Sequence, residues 1–219
     1  LLVGLALSLF TGCSRARSRT APEGDEPGQE GKLSVYASFY TMYDFASKIG
    51  GDKVHLVNMV PAGTEPHDWE PAEEADVFIY NGACMEHWAK DVLESLQNKN
   101  LIAVEASKGI ALMEGHHEGE SEERKGKGQP ETGYEEEDAD PHVWLNPLNA
   151  QKEMENIKNA FAEADPDNRD YYEANYMKYA GEIGALDKEF WDSLSVLPKK
   201  DIIVAHEAFG YLCAAYGLN

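Results

Sequence analysis

Three histidines sit where a ligand could be held. His67 lies in Pro61-Ala-Gly-Thr-Glu-Pro-His-Asp-Trp-Glu-Pro71, a proline-bracketed loop after a strand-like run. His142 lies in Asp140-Pro-His-Val-Trp-Leu-Asn-Pro147, between a polar stretch and a helix. His206 follows Ile202-Ile-Val-Ala205, read as the end of a strand where a helix begins. Ligands of α/β proteins collect beyond the carboxyl ends of strands. Prolines beside the first two restrict the backbone before any ligand arrives, which lowers the ordering cost. Three converging neutral imidazoles would suit tetrahedral zinc, with water or a carboxylate fourth. Copper, nickel and iron also accept imidazole, and manganese prefers more oxygen. The three are far apart in the chain, so spacing alone leaves their convergence open.

The elements that must position them alternate. Leu33–Ser38 suits a strand, and Thr41 can cap a helix to Ile49 that Gly50-Gly51 ends. Lys53–Val60 alternates again, and Asp76–Asn81 is a short apolar run of the kind buried in a parallel sheet. A helix from Met85 to Gln97 and a strand from Leu101 to Val104 follow. This alternation implies an α/β fold with a parallel sheet. Glu114–Asp140 is dominated by acidic residues, carries His116 and His117, and reads as a solvated loop. Asn146-Pro147 opens a helix to Ala164, and Asp165-Pro166 opens another to Val196. In the second, Tyr172, Tyr176, Tyr179, Ile183, Leu186, Phe190 and Leu194 recur at helical spacing. At 1.5 Å per residue it is a strut of roughly 45 Å. Asp201–Ala205 reads as a strand and Glu207–Tyr216 as a helix.

The flanks and composition narrow the setting. Leu1–Phe10 is apolar, too short to span a bilayer, and fits the core of a secretory signal with its basic start clipped. Thr11-Gly12-Cys13 resembles a lipobox, which makes Cys13 a lipidation candidate. Residues 14–32 read as a flexible tether. Cys84 and Cys213 are expected to be buried thiols. A formal net charge of −21 excludes a basic nucleic-acid face and a polybasic membrane surface. No His-Glu-x-x-His motif occurs, which weighs against a zinc-dependent hydrolase, the rival from another class.

Gly63–Pro71, Asp140–Pro147 and His206-Glu-Ala-Phe-Gly-Tyr-Leu212 closely resemble the ligand motifs of the zinc/manganese solute-binding proteins of bacterial ABC importers. Asn81-Gly-Ala-Cys-Met-Glu-His-Trp88 is similar to that family too, with Cys84 where glycine is frequent. The resemblance implies a non-enzymatic, monomeric lipoprotein on the outer side of the bacterial cell membrane, held there by its lipid anchor alone. It would capture zinc and deliver it to an ABC-transporter permease, with manganese in the same role as the alternative. It also implies two α/β lobes joined by a long rigid helix. Residues 33–164 would form the first lobe, 165–198 the linker and 199–219 the start of a truncated second lobe. His67, His142 and His206 map onto the metal ligands, and a histidine at the third place leans to zinc. The family's fourth ligand, a carboxylate, would lie beyond Asn219. Glu65 and Glu207 flank ligands and are candidates to orient them. His55 and His87 read as structural. Cell adhesion is a further role attached to such lipoproteins. Zinc affinity should fall as pH drops through ~6.5, where imidazole protonates.

Overall fold

The computed structural model describes residues 31–59, 75–115 and 139–219. Four strands, β1 (Leu33–Ala37), β2 (Val54–Asn58), β3 (Val77–Tyr80) and β4 (Ile102–Glu105), form a wholly parallel sheet in the order β2-β1-β3-β4. Val35 of β1 lies opposite Leu56 of β2 and Val77 of β3. The strand order reverses between β1 and β3, the crevice at which open α/β sheets characteristically bind ligands.

Both faces of the sheet are covered, as short apolar strands require. Val77 and Ile79 of β3 point to one face and Phe78 to the other, following the two-residue period. The larger core packs Val35, Val77 and Ile79 under α1 (Tyr40–Gly50), α3 (Pro147–Ala164) and the start of α4 (Arg169–Leu194). Met42, Ile49, Met154, Ile157, Phe161 and Tyr172 are fully buried there. The smaller core joins Met59 and Phe78 to Ala89 of α2 (Ala89–Ser95).

Helix ends depart from the sequence reading in instructive ways. Thr41 does not cap α1, which begins at Tyr40 after an extended Phe39 with no side-chain cap. Gly51 ends α1 with φ of 51°, and a Cβ there would come within 2.3 Å of the Tyr171 hydroxyl oxygen. Only glycine meets both conditions. Asn146 caps α3 as its sequence implies: the side chain accepts from the Leu148 N–H, with Pro147 in the first turn. The Tyr172 hydroxyl donates to Asp165 at 2.7 Å, tying α4 to the end of α3. Helix α4 is 26 residues long, about 39 Å at 1.5 Å per residue.

Asp201–Ala205 forms no strand, contrary to expectation. Its apolar side chains remain in solvent, Ile203 completely. A strand needs a neighbour for its backbone groups, and among the described residues only Asn219 is bonded to this stretch, accepting from the Ile202 N–H at 3.0 Å. The following helix, α5 (Gly210–Tyr216), starts three residues later than expected. Cys84 and Cys213 are half-buried and not joined to each other, rather than core residues, and Cys84 lies in a turn, not a helix. Among the described residues no helix is long and apolar enough to cross a membrane.

Candidate metal centre

His142 is held from several sides. Its backbone N–H and its Nδ1 both bond Asp140 Oδ1, at 3.0 and 2.8 Å. The adjacent Val143 is fully buried. The His142 ring lies 5.5 Å from Trp144, whose own ring lies 5.3 Å from Phe39. With Nδ1–H donated to the carboxylate, the neutral ring has a lone pair at Nε2. That atom is the one turned toward His206.

His206 Nε2 lies 3.2 Å from His142 Nε2, with the rings nearly perpendicular and centroids 5.1 Å apart. The approach is produced by α5. Tyr211 is buried, and its hydroxyl donates to the Asp140 carbonyl at 2.9 Å while accepting from the Met113 N–H at 3.0 Å. Burial pushes the Tyr211 phenol up, so it remains a donor at neutral pH. Gly210 lets α5 come this close, since a Cβ there would fall 2.8 Å from Asp140 Oδ2. The antiparallel bridge between Glu114 and Ala139 and the Asp140 N–H bond to the Met113 carbonyl complete the mount.

The pair borders an open cavity of about 620 Å³, also lined by Asp140, Glu114, Glu207, Phe209 and Cys213. Its charged groups are carboxylates, which favours a cation. Two nitrogens bound to one tetrahedral ion at 2.0–2.1 Å sit about 3.3 Å apart. The observed 3.2 Å matches that edge. Two histidines do not make a site: among the described residues no cluster of three or more histidine, cysteine or acidic side chains could hold a metal.

His67, Glu65, His116, His117 and Cys13 lie outside the described residues. His55 lies in β2, and His87 is exposed just before α2. Glu207 is exposed and lines the cavity. The residue that orients an imidazole is Asp140, which sequence reasoning passed over although it stands two places before His142. Tyr211 was likewise missed, because an aromatic in an apolar helix reads as core.

Comparison with known proteins agrees with these motifs. The family model described as "Zinc-uptake complex component A periplasmic" matches residues 35–219. The high-affinity zinc uptake system protein ZnuA of Bacillus subtilis is 39% identical over 211 residues, covering 93% of this chain and 65% of its own length. The crystal structure of the metal-dependent lipoprotein YcdH from Bacillus subtilis superposes with a TM-score of 0.71 at 38% identity, over 86% of this chain and 66% of that one. The Zn(II)-bound ZnuA-like domain of Streptococcus pneumoniae AdcA gives 0.70 at 31% identity, over the same two shares. The chain thus spans just under two thirds of the length of these relatives. With the motifs in order along the sequence and the family model covering most of it, the chain belongs to the ZnuA family of zinc-uptake components.

Proposed function

We propose that this chain captures a zinc ion outside the cytoplasm, through His67, His142 and His206, and delivers it to the permease of an ABC importer. The observation that carries the reading is the 3.2 Å approach of two Nε2 atoms in a carboxylate-lined cavity. Asp140 supports it by holding His142 in the tautomer that leaves Nε2 unprotonated. The family model, which describes a component of zinc uptake, points the same way. In this reading residues 33–164 are one lobe, 165–198 a linker helix, and 199–219 part of a second lobe. Cys13 carries the lipid that keeps the protein at the membrane, with residues 14–32 as its tether, and the protein works as a monomer. Zinc is cargo, so binding must be reversible and no bond of the ion's ligands is chemically altered.

The test is titration of the complete protein with zinc and with manganese, against a competing chelator. Alanine at His67, at His142 or at His206 should each weaken zinc binding by more than about 100-fold, beyond the ~10–100-fold typical of outer partners. Unchanged zinc affinity in His206→Ala would remove that residue from the ligand set. Tighter binding of manganese than of zinc would reassign the cargo.

A further inference from the structure

We infer that Asn81, locked by Glu86, is a positioning residue for the His142 imidazole. The inference rests on the proposed zinc site and concerns what sets its geometry. Asn81 is fully buried at the carboxyl end of β3, beside the switch point of the sheet. Its side-chain amide donates to the carbonyl of Gly82 at 2.8 Å and to the carbonyl of Pro141 at 3.0 Å. Pro141 immediately precedes His142 and has no N–H of its own, so its carbonyl is the backbone handle at that residue. Asn81 therefore grips the His142 segment from the sheet side, while Tyr211 grips it from α5.

Asn81 is itself fixed by Glu86. One Glu86 oxygen accepts from the Ser38 hydroxyl at 2.5 Å and the Asn81 N–H at 2.9 Å, and the other accepts from the Gly82 N–H at 3.1 Å. Ser38 directly follows β1, so one carboxylate staples the ends of β1 and β3 together. The Gly82-Ala83-Cys84 turn that lets it do so has positive φ at all three residues, 78°, 47° and 66°. For Ala83 and Cys84 this is a strained backbone that the surrounding contacts must hold in place. Ala83 packs with Val143 and Tyr211, the same residues that flank the histidine mount. A turn spent in this way makes sense as a rigid base for a neighbouring group. The amide also has the chemistry the place requires: two donors for two carbonyls, and no charge to compete with Asp140 for the imidazole.

The test uses the complete protein and the variants Asn81→Ala and Asn81→Ser. Serine keeps a donor for the Gly82 carbonyl but is too short for Pro141. Zinc affinity is measured by chelator competition, and geometry by the ligand-field absorption of bound cobalt(II). A positioning role predicts about a 10–100-fold loss of zinc affinity and a shifted or weakened cobalt band. Tyr172→Phe, which removes the bond to Asp165 at the far end of α3, is the control: it lowers thermal stability and leaves affinity and spectrum unchanged. Should the alanine variant not fold, the serine variant decides. Wild-type affinity and an unaltered cobalt spectrum in the folded variants overturn the inference. If the unsubstituted protein binds no zinc, the proposed function fails and the positioning role fails with it.

Discussion

The two histidines that meet are mounted in opposite ways. His142 stands on a fixed scaffold: half-buried Asp140 on its ring, buried Asn81 and Tyr211 on the carbonyls before it, Val143 in the core after it. His206 is exposed and follows an irregular stretch in which Ile203 is wholly in solvent. Among the described residues its ring bonds only to His142. In the proposed site one ligand would be oriented before the ion arrives, and the other delivered by the docking of α5. Such preorganisation would lower the cost of binding on one side, while the other side would stay able to release the ion.

The scaffold under His142 contains a titrating group that the His206 arm lacks, and this gives the largest expected difference. Glu153 of α3 is fully buried, and neither carboxyl oxygen has a hydrogen-bond partner among the described residues. Burial first, and the charge of Glu86 second, push it up to about 8. Glu86 has three donors to support a negative charge and Glu153 has none, so the proton resides on Glu153. The folded protein then keeps this proton up to about pH 8, while the unfolded chain releases it near 4.5. The resulting stability is fully present below pH 4.5, declines as pH rises, and is lost above about 8. The loss is of order a few kcal/mol. Denaturant titrations from pH 5 to 9 should show the decline in the wild type and a much flatter profile in Glu153→Gln. Equal slopes would mean that Glu153 is ionised in the folded state.

Asp140→Asn tests the orienting bond directly. The amide keeps the shape but no longer stabilises a donated Nδ1–H, and zinc affinity should fall about 10–100-fold with little change in melting temperature. Glu207→Gln, on the His206 side, should change affinity less than Asp140→Asn, since Glu207 bonds neither histidine among the described residues. A reversal of that order would break the contrast between the two mounts. The smallest effect belongs to the His206 arm. Ile203→Ser should alter the stability of this chain by no more than about 0.5 kcal/mol, as expected for a side chain with nothing to lose on exposure.

Much of the scaffold was legible in the residues themselves. Short apolar runs flanked by helical patterns encode a parallel sheet, because strands covered on both faces need no polar side. Asn146-Pro147 announced the start of α3, since both its cap and its first-turn proline act locally. Asp201–Ala205 misled for the opposite reason. Its β-branched residues favour a strand, but a strand exists only where another backbone completes its hydrogen bonds, and here none of the sheet does so. Thr41 misled on a smaller scale: a residue that can cap does so only if the helix begins after it, and α1 begins before it.

By itself, then, the sequence determined which residues could bind a metal and the helix start that follows His142, because residue chemistry and local periodicity are written along the chain. The meeting of His142 with His206 was decided only in three dimensions. It depends on Tyr211 reaching the Asp140 carbonyl and on Gly210 admitting α5 beside Asp140. The roles of the supports Asn81, Glu86 and Glu153 were equally invisible beforehand. A polar residue gains its meaning there from what surrounds it, and burial is a property of packing rather than of spacing.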